Sequence, residues 1–226
     1  MPNPKGTQCT ELGAILDTLK YKGDRTATNC CTWHGVYCND NGTIKTLNLD
    51  SEKLTGTIPP TLDKLTSLEA LELRNNQLTG TIPPTLSKLT SLTSIILSNN
   101  QLTGTNLDSL SKLTSLKILE LHNCQLTGSI PDSLSKLKSL YFFDLSSNQL
   151  TGTIPPALGQ MTGLQSFWLS NNQLTGTIPS TLSQLTGLGI LDLSNNSLTG
   201  TVPAIKIRCE LFFFCTGATS NPHFDP

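Results

Sequence analysis

One period governs this chain. Leu-Thr-Gly recurs with its leucine at positions 54, 78, 102, 126, 150, 174 and 198, a step of 24 residues every time and without insertion. Self-similarity at a fixed period of this length is the mark of a solenoid, in which each unit is one supersecondary turn that buries its apolar face only against its neighbours. Around the anchor the unit reads L-x-x-L-x-L-x-x-N-x-L-T-G-x-I-P-x-x-L-x-x-L-x-x, and residues 68–91 are a clean copy. Leu71 and Leu73 alternate with Ala70, Glu72 and Arg74, the period of two of a short strand with one buried face. Stacked copies predict a parallel sheet. Gly80 removes a side chain where the coil turns tightly, and Pro83 ends the strand. Leu86 and Leu89, three apart, suit a short 3₁₀ stretch on the far side. Asn76 and its equivalents Asn100, Asn148, Asn172 and Asn196 follow the strand; an inward amide there satisfies backbone groups that a buried turn would otherwise leave unpaired.

One coil cannot bury enough apolar surface to order itself, so stability is shared between neighbours and the two ends need caps. Leu12, Ile15, Leu16 and Leu19 fall at helical spacing and give one apolar face. Asn29-Cys30-Cys31-Thr32-Trp33-His34-Gly35-Val36-Tyr37-Cys38 follows. Adjacent cysteines, then W-x-G-V-x-C, then an L-x-L strand resemble the amino-terminal cap of plant-type extracellular leucine-rich-repeat proteins. The L-T-G-x-I-P repeat resembles the signature of the same group, which includes receptor-kinase and receptor-like protein ectodomains and polygalacturonase-inhibiting proteins. The resemblance covers residues 9 to about 203 and implies an α/β solenoid. This is a right-handed leucine-rich-repeat superhelix with a parallel concave β-sheet, seven 24-residue repeats and disulfide-stapled caps. Its expected division is an amino-terminal cap over 1–43, repeats over 44–203, and a carboxyl cap or tail over 204–226. By the same resemblance Cys9 pairs with Cys30, Cys31 with Cys38, and Cys209 with Cys215. Of the seven cysteines this leaves Cys124, which occupies the Asn position of the fourth repeat, where a small weak donor sits buried. The chain departs from the family pattern in placing Glu52 at the first ladder Asn, and in placing Asn106-Leu107 where Ile-Pro belongs, which should loosen the third coil. Its tail from Ile207 matches no carboxyl cap.

Cysteines clustered at the two ends read as staples made in an oxidising compartment. The expected location is therefore secreted, with the signal segment removed, because the start Met1-Pro2-Asn3-Pro4-Lys5 has no apolar stretch. Asn41-Gly42-Thr43 and Asn195-Asn196-Ser197 are sequons, making Asn41 and Asn195 candidate glycan sites. A net charge of −1 points away from nucleic acid and acidic membranes. No apolar run is long enough to span a bilayer.

Side chains pointing outward from the strands form the concave face, the usual binding surface of such solenoids. The centre column reads Asn48, Glu72, Ile96, Glu120, Asp144, Trp168 and Asp192; the preceding one Thr46, Ala70, Ser94, Ile118, Phe142, Ser166 and Ile190. The following one reads Asp50, Arg74, Ser98, His122, Ser146, Ser170 and Ser194. Strands about 4.8 Å apart give the columns a span of roughly 29 Å. Against a background of Ser, Thr and Ala, the residues Ile96, Ile118, Glu120, His122, Phe142, Asp144 and Trp168 stand out as a ligand-binding patch, since exposed Trp and Phe are favoured interface anchors. The alternative is that the aromatics merely cover a sheet. The acids of the centre column point to a partner of basic or amine character, or else to a solvated acidic face. On the opposite side Lys64, Lys88, Lys112 and Lys136 repeat at the same step and read as a solvated convex face.

A second surface competes. In Leu-Thr-Gly-Thr-Ile both threonines face outward, giving columns that include Thr79, Thr103, Thr151 and Thr175, and Thr81, Thr105, Thr153 and Thr177. At about 6.6 Å along the chain and about 4.8 Å between coils, this T-x-T array resembles the ice-binding face of solenoid antifreeze proteins. Catalysis has little support: the three histidines, His34, His122 and His223, are far apart in sequence and no nucleophile, phosphate loop or zinc spacing accompanies them. The sequence therefore predicts a secreted, monomeric, non-enzymatic recognition module without cofactor or metal, binding a protein or peptide on its concave face. Defence, signalling or inhibition of a cell-wall-degrading enzyme are the roles the resemblance implies. Ice binding is the alternative.

Overall fold

Strand leucines at a constant step force the coils to stack in register, and the computed structural model, which describes residues 6–105 and 107–205, does so. Ile44–Asn48, Ala70–Glu72, Ser94–Ile96, Ile118–Glu120, Phe142–Asp144, Ser166–Trp168 and Ile190–Asp192 pair in parallel in sequence order. Each residue faces the one 24 positions on, so Leu47, Leu71, Ile95, Leu119, Phe143, Phe167 and Leu191 form one row. The row is fully buried from Leu47 to Phe167. Phe143 and Phe167 stack at 5.3 Å within it. Short 3₁₀ helices at Pro60–Lys64, Pro84–Lys88, Asp108–Lys112, Asp132–Lys136, Pro156–Gln160 and Ser180–Gln184 close the opposite wall. The core of leucines lies between the two walls.

The ladder asparagines hold the turn after each strand. Asn100 accepts from the Leu78 amide through Oδ1 at 2.9 Å, and its Nδ2 donates to the carbonyls of Leu73 and Leu97, each at 2.9 Å. Asn76, Asn148, Asn172 and Asn196 repeat the pattern. At the first departure, Glu52 turns outward and its carboxylate lies 3.1 Å from Nε2 of His34 in the cap segment. At the second, Leu107 takes a helical backbone where the other coils have an extended proline, and its own side chain is buried. The following 3₁₀ helix forms in its usual place, while the strand before it ends one residue early, at Gly104 rather than at the equivalent of Thr81.

The helix Gly6–Thr18 lays Leu12, Ile15 and Leu16 on the first coil, followed by Leu19; all four are fully buried. Cys9–Cys30 and Cys31–Cys38 are disulfides, whereas Cys209–Cys215 lies outside the described residues. A strand that the 24-residue period does not announce, Val36–Cys38, pairs antiparallel with Ile44–Asn48 and forms the sheet's first edge. At the other end Leu191 and Leu193 are only partly buried, while their equivalents Phe167 and Leu169 are fully so. Among the described residues no helix is long and apolar enough to cross a membrane.

Candidate functional site

The parallel register places Asn48, Glu72, Ile96, Glu120, Asp144, Trp168 and Asp192 side by side on the face of the sheet turned away from the core. Ile118 and Phe142 are neighbours in the preceding column. Ile96, Ile118, Phe142 and Trp168 are all half-buried, so the patch read from the sequence is one contiguous surface. Trp168 lies between Asp144 and Asp192, and its buried indole N–H has no acceptor.

The charged groups are held rather than free. Glu120 accepts from the Ser98 hydroxyl at 2.6 Å. Asp144 accepts through one oxygen from both the amide and the hydroxyl of Ser146, at 2.8 and 2.7 Å; Asp192 and Ser194 repeat this motif. Asn48 donates to Glu72 at 2.6 Å, and Arg74 donates to Asp50 at 2.6 Å. Nδ1 of His122 lies 3.2 Å from Asp144 and 3.5 Å from Glu120, with side-chain exposures of 30%, 12% and 15% respectively. These contacts fall short of an aligned hydrogen bond and act as ion pairs of the protonated ring. His122 is raised above the usual histidine range, first by the Asp144 carboxylate at hydrogen-bonding distance; burial opposes this, the charges of Asp144 and Glu120 add to it, and Arg74 counters. Burial, together with the neighbouring Asp50 and Glu120 charges and against Arg74, raises Glu72. Behind the patch, burial pushes the free Cys124 thiol up, which keeps it in the unreactive thiol form. Ser98 and Ser146 read as filler in the sequence. The signal that marks the role of Ser146 is the recurrence of Asp-x-Ser at 144–146 and 192–194, a side-chain-to-backbone turn two residues long; Ser98 bonds Glu120 of the next coil, and no motif within its own coil marks it.

The threonine array is laid out differently from the expectation. On the second wall Thr57 faces Thr79, Thr81 faces Thr103, Ser129 faces Thr151 and Thr177 faces Thr199. The partner is thus 22 positions on rather than 24. Each coil slips by two residues, about 6.6 Å, so equivalent threonines stand diagonally about 8 Å apart rather than at one strand spacing. Both columns have work inside the scaffold. Thr79, Thr103, Thr175 and Thr199 donate to the glycine carbonyl of the preceding coil at 3.1–3.4 Å. Thr57, Thr81, Thr105, Thr153 and Thr177 turn their methyl groups onto the next coil's glycine, each of which has a positive φ. Asn41 and Asn195 are exposed, and the Asn195 amide donates to Asn171 at 2.8 Å. Among the described residues no group of His, Cys, Asp and Glu could hold a metal ion.

A leucine rich repeat family model matches residues 42–102 and 90–150, and a second leucine rich repeat model matches 163–185 and 187–205. A probable leucine-rich-repeat receptor-like serine/threonine-protein kinase of Arabidopsis thaliana is 33% identical over 57 residues. That match takes in 25% of this chain and 7% of the kinase. The crystal structure of a pollen receptor kinase 3 superposes with a TM-score of 0.75 at 32% identity, covering 89% of this chain and 99% of that one. A plant peptide hormone receptor, RGFR1, solved in complex with RGF2, gives 0.65 at 40% identity over 66% of this chain and 24% of its own.

Proposed function

The chain belongs to the leucine-rich-repeat family, and from that premise we propose that it is an extracellular recognition module whose open sheet face binds a peptide or an extended segment of a protein. One observation carries the reading. Ile96, Ile118, Phe142 and Trp168 gather around Glu120, His122 and Asp144 in adjacent in-register columns, while small polar residues fill much of the rest of the face. Aromatic side chains such as Phe142 and Trp168 are enriched at interface centres, and tryptophan is a favoured anchor there. The peptide hormone receptor seen with RGF2 lends the ligand class. The cap disulfides lend the compartment. On this reading residues 1–43 cap the repeats of 44–203, residues 204–226 close the other end, and glycans at Asn41 or Asn195 mark faces left clear of the ligand. The module acts as a monomer that presents a surface and performs no catalysis. Defence, signalling and inhibition of a secreted wall-degrading enzyme are all served by such a surface.

The test uses a random-heptapeptide display library panned on immobilised protein and on a Phe142→Glu, Trp168→Glu double variant of matched circular dichroism. Peptides enriched on the wild type and lost on the variant are the expected result. The same peptides on both, or none on either, would remove the open face as the site.

A further inference from the structure

Resting on that reading, we propose that Glu120 and Asp144 seat a basic side chain of the bound peptide, and that the proton on His122 competes with it for the same two carboxylates.

The charge on the face is unbalanced. Five carboxylates stand in the centre and following columns: Asp50, Glu72, Glu120, Asp144 and Asp192. The one arginine or lysine there, Arg74, is engaged by Asp50 at 2.6 Å. Among the described residues Glu120 and Asp144 have one neighbour able to become cationic, the imidazole of His122. Serines fix both carboxylates, so they need no reorganisation to receive a cation. Ile96 and Trp168 lie on either side of them in the column, with Ile118 and Phe142 alongside. Apolar walls strengthen a charge–charge attraction by excluding water, and the aromatic faces favour a cation.

His122 sets the condition. With the ring neutral, two carboxylates lie within 3.5 Å of Nδ1 without a cationic partner. With the ring protonated, one of those charges is already answered. The titratable and charged groups acting on His122 are Glu120 of its own coil, Asp144 of the next, and Arg74 at longer range; Ser98 and Ser146, its column neighbours, do not titrate. Cys124 stays a thiol. A basic peptide and a proton are therefore antagonistic ligands: each lowers the affinity of the other by the same factor. Basic peptides bind more tightly above the titration of His122 and more weakly below it, by about tenfold, inside the range usual for such coupling.

The experiment pans the same heptapeptide library at about pH 8, then measures resynthesised peptides by calorimetry in a pH series running upward from about pH 5.5, with the His122 titration itself followed in the same samples. Three results are expected together. Lys or Arg is enriched on the wild type. Replacing that residue of the peptide by Gln abolishes the pH dependence without altering the protein. The His122 ring, followed by NMR, titrates at lower pH when the basic peptide is bound. The His122→Gln variant should hold the tighter affinity throughout the series. Enriched peptides lacking Lys and Arg, or a pH dependence that survives His122→Gln, would overturn the competition and leave the open face standing as a peptide site. Failure of any peptide to distinguish the wild type from the Phe142→Glu, Trp168→Glu variant would remove the face itself, and the competition with it.

Discussion

Replacing Cys124 by asparagine should stabilise this protein, because it repairs the one gap in the ladder between Asn76 and Asn196. In the coil before, the Asn100 amide makes four bonds: from Leu78, and to Leu73, Leu97 and Ser98, at 2.9–3.3 Å. In the coil after, Asn148 bonds Leu126, Leu121, Leu145 and Ser146 at 2.9–3.1 Å. At position 124 the thiol donates to the carbonyls of Leu97 and His122 at only 3.6 and 3.7 Å, and its sulfur is a weak acceptor for the nearby Asn100 and Leu102 amides. An amide there inherits by the 24-residue shift the Leu102 amide and the carbonyls of Leu97, Leu121 and His122. The Leu97 and Leu121 carbonyls already accept from Asn100 and Asn148, so only part of the set is new. Two net bonds at about 0.5–1.5 kcal/mol each give roughly 1–3 kcal/mol. In a chain of this size that corresponds to a rise in Tm of roughly 2–12 °C, at about 2–4 °C per kcal/mol. Urea unfolding followed by circular dichroism, without reductant so that the cap disulfides survive, measures it. Midpoints are compared rather than extrapolated energies, since a solenoid can unravel from its ends. A midpoint equal to or below that of the wild type would refute the account of the ladder as a hydrogen-bonding device.

Two further outcomes follow from the same contacts. His122 is held above the usual histidine value of about 6.5. The folded state therefore binds the proton more tightly than the unfolded chain, and the stability this contributes is present below that value and is lost as pH rises through the raised one. His122→Gln should flatten that part of the stability–pH curve, and a wild-type curve with no fall there would contradict it. Gly128→Ala should cost about 1–3 kcal/mol, because φ is +79° and an added Cβ would sit 2.5 Å from the Thr105 methyl. Thr105→Ser in the same chain should return part of the loss, which paired melting curves would show.

Much of this architecture is legible in the sequence because a period of 24 residues carries both the strand alternation and the ladder amides. Of two adjacent phenylalanines, alternation alone assigns Phe143 to the core and Phe142 to the face, and their burial agrees. What the period cannot carry is anything that differs between the two walls. The sheet of strand leucines pairs residues 24 apart, yet the threonine wall pairs residues 22 apart, because its strands run obliquely to the stacking direction, and tilt is a property of the assembled coil. Val36–Cys38 lies before the first repeat, so no period marks it as a strand. Leu107 misleads for a different reason: in the sequence a leucine one place late reads as a defect, while a change of backbone from extended to helical returns its side chain to the core. The charged cluster was legible as columns only. That Ser98 and Ser146 fix Glu120 and Asp144 needed side-chain distances.

The two threonine columns and the open face differ in what they are obliged to do. Every threonine bond or methyl contact above joins one coil to the next, so altering it disturbs the stacking on which each coil depends. Ile96, Ile118, Phe142 and Trp168 point away from the leucine core. The scaffold's hydrogen bonds near them run through their backbones, as in Leu145 to Trp168 and Leu73 to Ile96. Their side chains can therefore change without breaking the ladder, and the solenoid gives no reason for bulky apolar groups to occupy that face. A scaffold needs threonine where it has threonine; it does not need tryptophan at 168. That asymmetry is why, on the proposed reading, the Phe142→Glu, Trp168→Glu variant should lose its peptides while keeping its fold.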